Sequence, residues 1–111
     1  MSAIAVIDFE TSGLLPEAGG RATEVAIVLV EQGRVIDRFA SLMNAGAWIP
    51  PFITELTGIS NEMVRTAPAA AQVMAQAAQF VGDRPLVAHN ASFDRKFWQS
   101  ELARVGLVAA Q

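Results

Sequence analysis

Hydrophobic and polar positions follow two different periods along this chain, and the change of period divides it. Residues 3–8 are nearly all apolar until Asp8, the pattern of a strand buried on both faces. Residues 12–21 (Ser-Gly-Leu-Leu-Pro-Glu-Ala-Gly-Gly-Arg) combine glycines with a proline and predict a loop. Residues 25–30 are β-rich, and Gln32-Gly33 suits a tight turn. Residues 35–42 return with Val35, Asp37, Phe39 and Ser41 alternating against Ile36, Arg38, Ala40 and Leu42, so a hairpin is expected.

Helical spacing dominates the second half. Ile49 is driven extended by Pro50 and Pro51. A short helix over about 52–56 is expected, stopped by Gly58, and Ser60 begins another short segment. Pro68 suits a helix start, where its missing donor costs nothing. Val73, Met74, Ala77, Phe80 and Val81 share one helical face, and Gly82 ends that helix. Residues 85–88 read as a short buried strand and 89–92 as a turn. Phe93, Phe97, Trp98, Leu102 and Val105 mark the inward face of a last helix, closed by Gly106.

The order is strand, strand, strand, helices, strand, helix. Short connections pair the first three strands antiparallel, and a helical crossover lays the fourth parallel to the first. The expected fold is α/β, a mixed sheet of three antiparallel strands plus a parallel strand with flanking helices. No repeat, low-complexity tract or linker divides the chain, so residues 1–111 are expected to form a single domain.

Composition narrows the function. The chain is 52% hydrophobic but only 17% charged, with a net charge of −3. A strongly basic nucleic-acid footprint is absent, which argues against a dedicated DNA-binding module. It leaves room for an enzyme that touches a short piece of nucleic acid through bound cations. With no cysteine, neither a disulfide nor a thiolate zinc site can form. No signal-peptide pattern and no membrane-length apolar run stand in the sequence, so a cytoplasmic protein is expected.

The first strand runs into acids. Alternate strand residues share a side, so Asp8 and Glu10 present two carboxylates together while Phe9 turns away. Such a pair repels unless it is protonated or a cation lies between. Asp94 sits about one turn into the last helix, with Asn90 as a natural N-cap. If the 85–88 strand lies beside the first strand, Asp94 comes toward the pair. Three oxygen ligands at one rim suit Mg²⁺ or Mn²⁺, with phosphate chemistry as the use.

At these residues the sequence resembles the DEDD superfamily of 3′–5′ exonucleases. The first family motif, Asp-x-Glu-Thr-Thr/Ser-Gly, stands as Asp8-Phe9-Glu10-Thr11-Ser12-Gly13. The second stands as His89-Asn90-Ala91-Ser92-Phe93-Asp94. Residues 56–60 (Leu-Thr-Gly-Ile-Ser) resemble its Gly-Ile-Ser/Thr segment, and residues 21–26 its second-strand opening. The proofreading epsilon subunit of bacterial DNA polymerase III and ribonuclease T-like enzymes are the most similar branches.

This resemblance implies a ribonuclease H-like fold and two-metal hydrolysis of terminal phosphodiesters on single-stranded DNA or RNA 3′ ends. It implies Asp8, Glu10 and Asp94 as catalytic and metal-holding residues. Phe9, Thr11, Leu56, His89 and Phe93 are implied on the substrate side, and a polymerase subunit is implied as a possible partner. His89 is open to a second reading as a hydrogen-bonded strand-end residue, and Leu56 and Phe93 to ordinary packing. The family's third motif, a His with an Asp five residues later, has no counterpart here, and Thr57 stands where many relatives carry a histidine. The expectation is a truncated domain missing the last part of the fold, with weak or no activity and an exposed face that a homodimer could cover. An RNA-trimming enzyme and a non-catalytic polymerase-associated module are the alternatives.

Overall fold

The computed structural model describes residues 3–111. Strand β1 (Ile4–Thr11) leads through a 3₁₀ turn (Pro16–Ala18) into β2 (Ala22–Glu31) and β3 (Arg34–Leu42). Helices α1 (Pro51–Thr57), α2 (Asn61–Arg65) and α3 (Ala70–Val81) follow. A short strand β4 (Leu86–Val87) and helix α4 (Ala91–Arg104) come last. The sheet order is β3-β2-β1-β4, with β4 parallel to β1 and the other pairs antiparallel. This is the mixed sheet that the element order predicts.

The β2–β3 turn has Gln32 at φ 53° and Gly33 at φ 76°. Two left-handed central residues define the type I′ geometry that matches the twist of paired strands. Gly20 is required by space. A Cβ there would lie 2.8 Å from the Leu15 carbonyl oxygen, which is where the 13–20 loop folds back on itself.

One face of the sheet is closed. Ala5, Ile7 and Phe9 of β1 and Val25, Ile27 and Leu29 of β2 pack under α3 (Val73, Met74, Ala77, Val81) and α4 (Phe97, Trp98, Leu102). The other face carries Ile4, Val6, Asp8 and Glu10, opposite Val30, Val28, Ala26 and Glu24 of β2. Those β1 positions are half-buried at best, and Asp8 is exposed. The expectation that residues 3–8 are buried on both faces is therefore corrected. Both long helices lie on one layer, and only the α1–α2 pair sits on the other. That pair makes a small cluster of Ile49, Ile53, Ile59 and Val64 against Leu42, which lies opposite Glu24.

Two local expectations also change. Asn90 precedes α4, yet its side chain makes no cap bond; its carbonyl accepts the Asp94 N–H at 3.1 Å. Side-chain capping occurs instead at Ser60, whose Oγ accepts the Met63 N–H at 3.1 Å. The 85–88 strand is not buried as expected, since Leu86 is half-buried and Val87 exposed, whereas α3 does begin near Pro68, at Ala70. No helix among the described residues is long and apolar enough to cross a membrane.

Candidate active site

β1 outlasts its parallel neighbour, and that mismatch builds the site. β4 pairs only with Ala5 and Val6. Odd-numbered amides of β1 point toward β4, as when Ala5 N–H donates to the Pro85 carbonyl at 2.9 Å. At Phe9 no β4 residue remains to accept. Asp94, in the first turn of α4, takes that place: its Oδ1 accepts the Phe9 N–H at 3.0 Å. A buried amide needs a partner, and here a side chain supplies it. The same bond carries the α4 carboxylate to the strand segment bearing Asp8 and Glu10.

Electrostatics register the convergence. Burial pushes the Glu10 carboxyl above its ordinary range, and the neighbouring charges of Asp8, Glu24 and Asp94 push it further. Asp94 is also raised, chiefly by burial. The Phe9 amide pulls it down, Asp8 pushes it up, and its own amide and then His89 pull it down. A carboxyl raised by folding holds its proton more tightly in the folded than in the unfolded chain. Stability from such groups is full below their unfolded values and is lost as pH rises through the folded ones. The metal-free chain is therefore expected to melt higher near pH 5 than near pH 7, with a flatter profile in Glu10→Gln. Thermal melts in a chelator across that range check the slope. A melting temperature that climbs with pH contradicts it.

The donor set is oxygen only, which fits Mg²⁺ or Mn²⁺. Asp94 spends Oδ1 on Phe9 and keeps Oδ2 for another partner. Among the described residues, no three acidic or histidine side chains are gathered at metal-ligand spacing. Like charges without a counter-ion spread apart, so the carboxylates are neighbours that share a field and are not a closed cage.

The other residues singled out by sequence divide between the two faces. Phe9 is buried, its ring 6.5 Å from that of Phe97. Thr11 lies on the covered face and donates its hydroxyl to the Gly13 carbonyl at 2.7 Å, closing the turn. Phe93 is half-buried and stacks on Phe97 at 5.0 Å. His89 is exposed at the end of β4, within charge range of Asp94. Leu56 stands 80% exposed on α1. Two features escape sequence reading. Glu24 lies directly opposite Glu10, which the β1–β2 register alone reveals. Arg21 forms an ion pair with the buried Glu101, and the resemblance of the 21–26 segment does not signal that pairing.

A parallel edge strand crossed back to a central strand, with the first turn of the last helix bonded to that central strand, is the arrangement of a ribonuclease H-like exonuclease fold of the DEDD type. The RNase_T family, described as Exonuclease, matches residues 5–111, and the chain belongs to it. It is 39% identical over 101 residues to the 3′-5′ exonuclease DinG of Bacillus subtilis, covering 91% of this chain and 11% of that protein. Against DNA polymerase III PolC-type of Halalkalibacterium halodurans it is 38% identical over 110 residues, 99% of this chain and 8% of that one. A DNA polymerase III subunit epsilon-like protein of Rhodobacter capsulatus is 39% identical over 91% of this chain and 15% of its own length. The chain thus spans a small fraction of these relatives. In fold it matches E. coli Exonuclease I, solved with a dA16 oligonucleotide, at a TM-score of 0.86 and 20% identity over 98% of this chain and 25% of that one.

Proposed function

We propose that this chain carries the metal-holding part of a 3′–5′ exonuclease that hydrolyses terminal phosphodiesters of single-stranded nucleic acid, of the DNA-proofreading kind. The bond from the Phe9 amide to Asp94 carries this reading, because it joins the two acid-bearing segments through a buried contact. Asp8, Glu10 and Asp94 are the residues that would hold Mg²⁺ or Mn²⁺, two ions in the complete site. Bound there, such ions lower the pKa of water and neutralise charge gathering on the phosphate.

The chain's own residues orient and exclude. Phe9 donates its amide to fix Asp94 and, with Phe93 and Phe97, fills the space behind the acids with apolar rings. Leu56 offers an exposed apolar surface to a base without reading its identity, which suits an enzyme that trims any sequence. His89 stands on the substrate side of Asp94. It is the only histidine, so no second imidazole exists in these 111 residues to take the proton of the attacking water. These residues alone are proposed to bind Mn²⁺ weakly and to trim slowly. The polymerase III names of the PolC-type and epsilon-like relatives favour DNA over RNA and a polymerase as partner. A cytoplasmic setting follows from that role.

The test is a 5′-labelled single-stranded oligonucleotide incubated with the chain and Mn²⁺. A slow ladder shortening from the 3′ end, stopped by chelator, is expected. Internal cleavage, shortening from the 5′ end, or trimming that survives chelation rejects the proposal.

A further inference from the structure

We infer that Arg21 and Glu101 form a clasp that positions Asp94 and Glu10 for the cation, an inference that rests on the metal-site reading above. Glu101 is 1% exposed and accepts three hydrogen bonds. Arg21 Nε donates to Oε2 and Arg21 Nη2 to Oε1, both at 2.9 Å, and the Ala22 amide donates to Oε2 at 2.9 Å. The remaining Arg21 arm, Nη1, donates to the Ala45 carbonyl at 3.2 Å. The Arg21 backbone faces the strand carrying the first acids. Its N–H donates to Ser12 Oγ at 3.0 Å, and its carbonyl accepts the Ser12 N–H at 2.8 Å. One arginine therefore ties the end of β1, the start of β2, the segment after β3 and helix α4.

Geometry links the clasp to the acids. Glu101 follows Asp94 by seven residues, so the two side chains share one face of α4, about 10.5 Å apart along its axis. Asp94 is fastened to β1 through Phe9, and Glu101 to β2 through Ala22. A helix pinned at two points on one face can neither roll nor slide. On the other side, the β1–β2 register shifts between Glu10 and Thr11, and Thr11 is paired with Ala22. Such irregularities re-aim side chains, so the clasp stands beside the irregularity that sets Glu10. Stability is a weak reason for this pair. A buried ion pair rarely outdoes an apolar substitute of the same volume. A site at the junction of both acid-bearing segments gives it a specific use.

The test measures Mn²⁺ affinity by electron paramagnetic resonance and melting temperature on the whole chain. Glu101→Gln keeps the shape and removes the charge. Arg21→Lys keeps the charge and loses the two-pronged grip, and it is the gentler variant should the first not fold. Val73→Ala, in the apolar core of α3 and outside the Arg21–Glu101 hydrogen bonds, serves as the destabilised control. All are titrated well below their melting temperatures. The clasp variants are expected to bind Mn²⁺ about 10-fold more weakly than the unsubstituted chain, the low end of what losing a direct partner of a metal ligand costs. Val73→Ala is expected to melt lower and bind as before. Clasp variants that bind Mn²⁺ as tightly as Val73→Ala overturn the positioning role and leave the metal site standing. No Mn²⁺ binding by the unsubstituted chain overturns both.

Discussion

Asp8→Ala is expected to yield a protein that is more stable without metal and indifferent to Mn²⁺. Asp8 is exposed, so truncating it removes little packing. It does remove one of the charges that push on Glu10 and Asp94. Sites built for function commonly release about 0.5–2 kcal/mol when their repulsion is relieved. In a chain of this size that corresponds to a melting temperature higher by about 2–10 °C in chelator. Mn²⁺ reverses the ranking. A ligand at about 100 times its dissociation constant adds about 2.7 kcal/mol to the folded state, and Asp8→Ala forfeits that gain. Residual trimming is expected to fall on the order of 100-fold or more, since the charge on the phosphate loses its counter-charge.

Asp37→Ala supplies the comparison. Asp37 is an exposed acid on β3, paired with Leu29, two strands from β1 and level with Ala5 rather than with Asp8 or Glu10. Its loss is expected to change neither the metal-free melting temperature nor the response to Mn²⁺. Melts of the three proteins with and without Mn²⁺ decide the matter. Asp8→Ala melting lower than the unsubstituted chain, with the Mn²⁺ response intact, would mean that Asp8 is an ordinary surface acid.

The elements were legible because their periods are clean. Of the α3 face that helical spacing picks out, Val73, Met74, Ala77 and Val81 are buried, and Phe80 is half-buried against the core. Gln32-Gly33 forms the turn its composition suits. What misled was the apolar run of β1. Ile4 and Val6 are as apolar as the buried Ala5 and Ile7, so hydropathy could not say that only one face is covered. That depends on where α3 and α4 pack, which is long-range information. Asn90 misled for a local reason. A residue type that caps well also ends loops well, and here its backbone carbonyl does the work alone.

The site was legible in part. The spacing of Asp8 and Glu10 put both on one side of a strand, and the register bears that side out, with Ala26 and Glu24 opposite them. Asp94 was placed near them by topology. What sequence could not supply was the means, a carboxylate substituting for a missing strand partner at the Phe9 amide. That follows from β4 being only two residues long, a boundary that hydropathy does not mark. The pairing of Arg21 with Glu101 was invisible for a related reason. They are 80 positions apart, and each taken alone reads as a surface charge.

Phe97→Ala is expected to remove most of the chain's stability. Phe97 is fully buried and meets Phe9 on one side and Phe93 on the other. Truncating a buried phenylalanine costs about 3–5 kcal/mol, through lost transfer energy and the cavity left behind. A domain of this size holds only about 5–15 kcal/mol in total, so the loss takes a large share. The helix it anchors also carries Asp94 and Glu101, which makes the ring a support for both attachments of α4 to the sheet. Urea unfolding followed by tryptophan emission reads this well. Trp98 is 2% exposed beside Phe97, whereas Trp48 is 68% exposed, so the change on unfolding comes mainly from α4. Phe97→Leu, which fills most of the volume, is expected to lose only about 1–1.5 kcal/mol and to keep its Mn²⁺ response. If Phe97→Ala unfolds within about 1 kcal/mol of the unsubstituted chain, α4 is held by its polar attachments alone, and the aromatic packing behind the acids is dispensable.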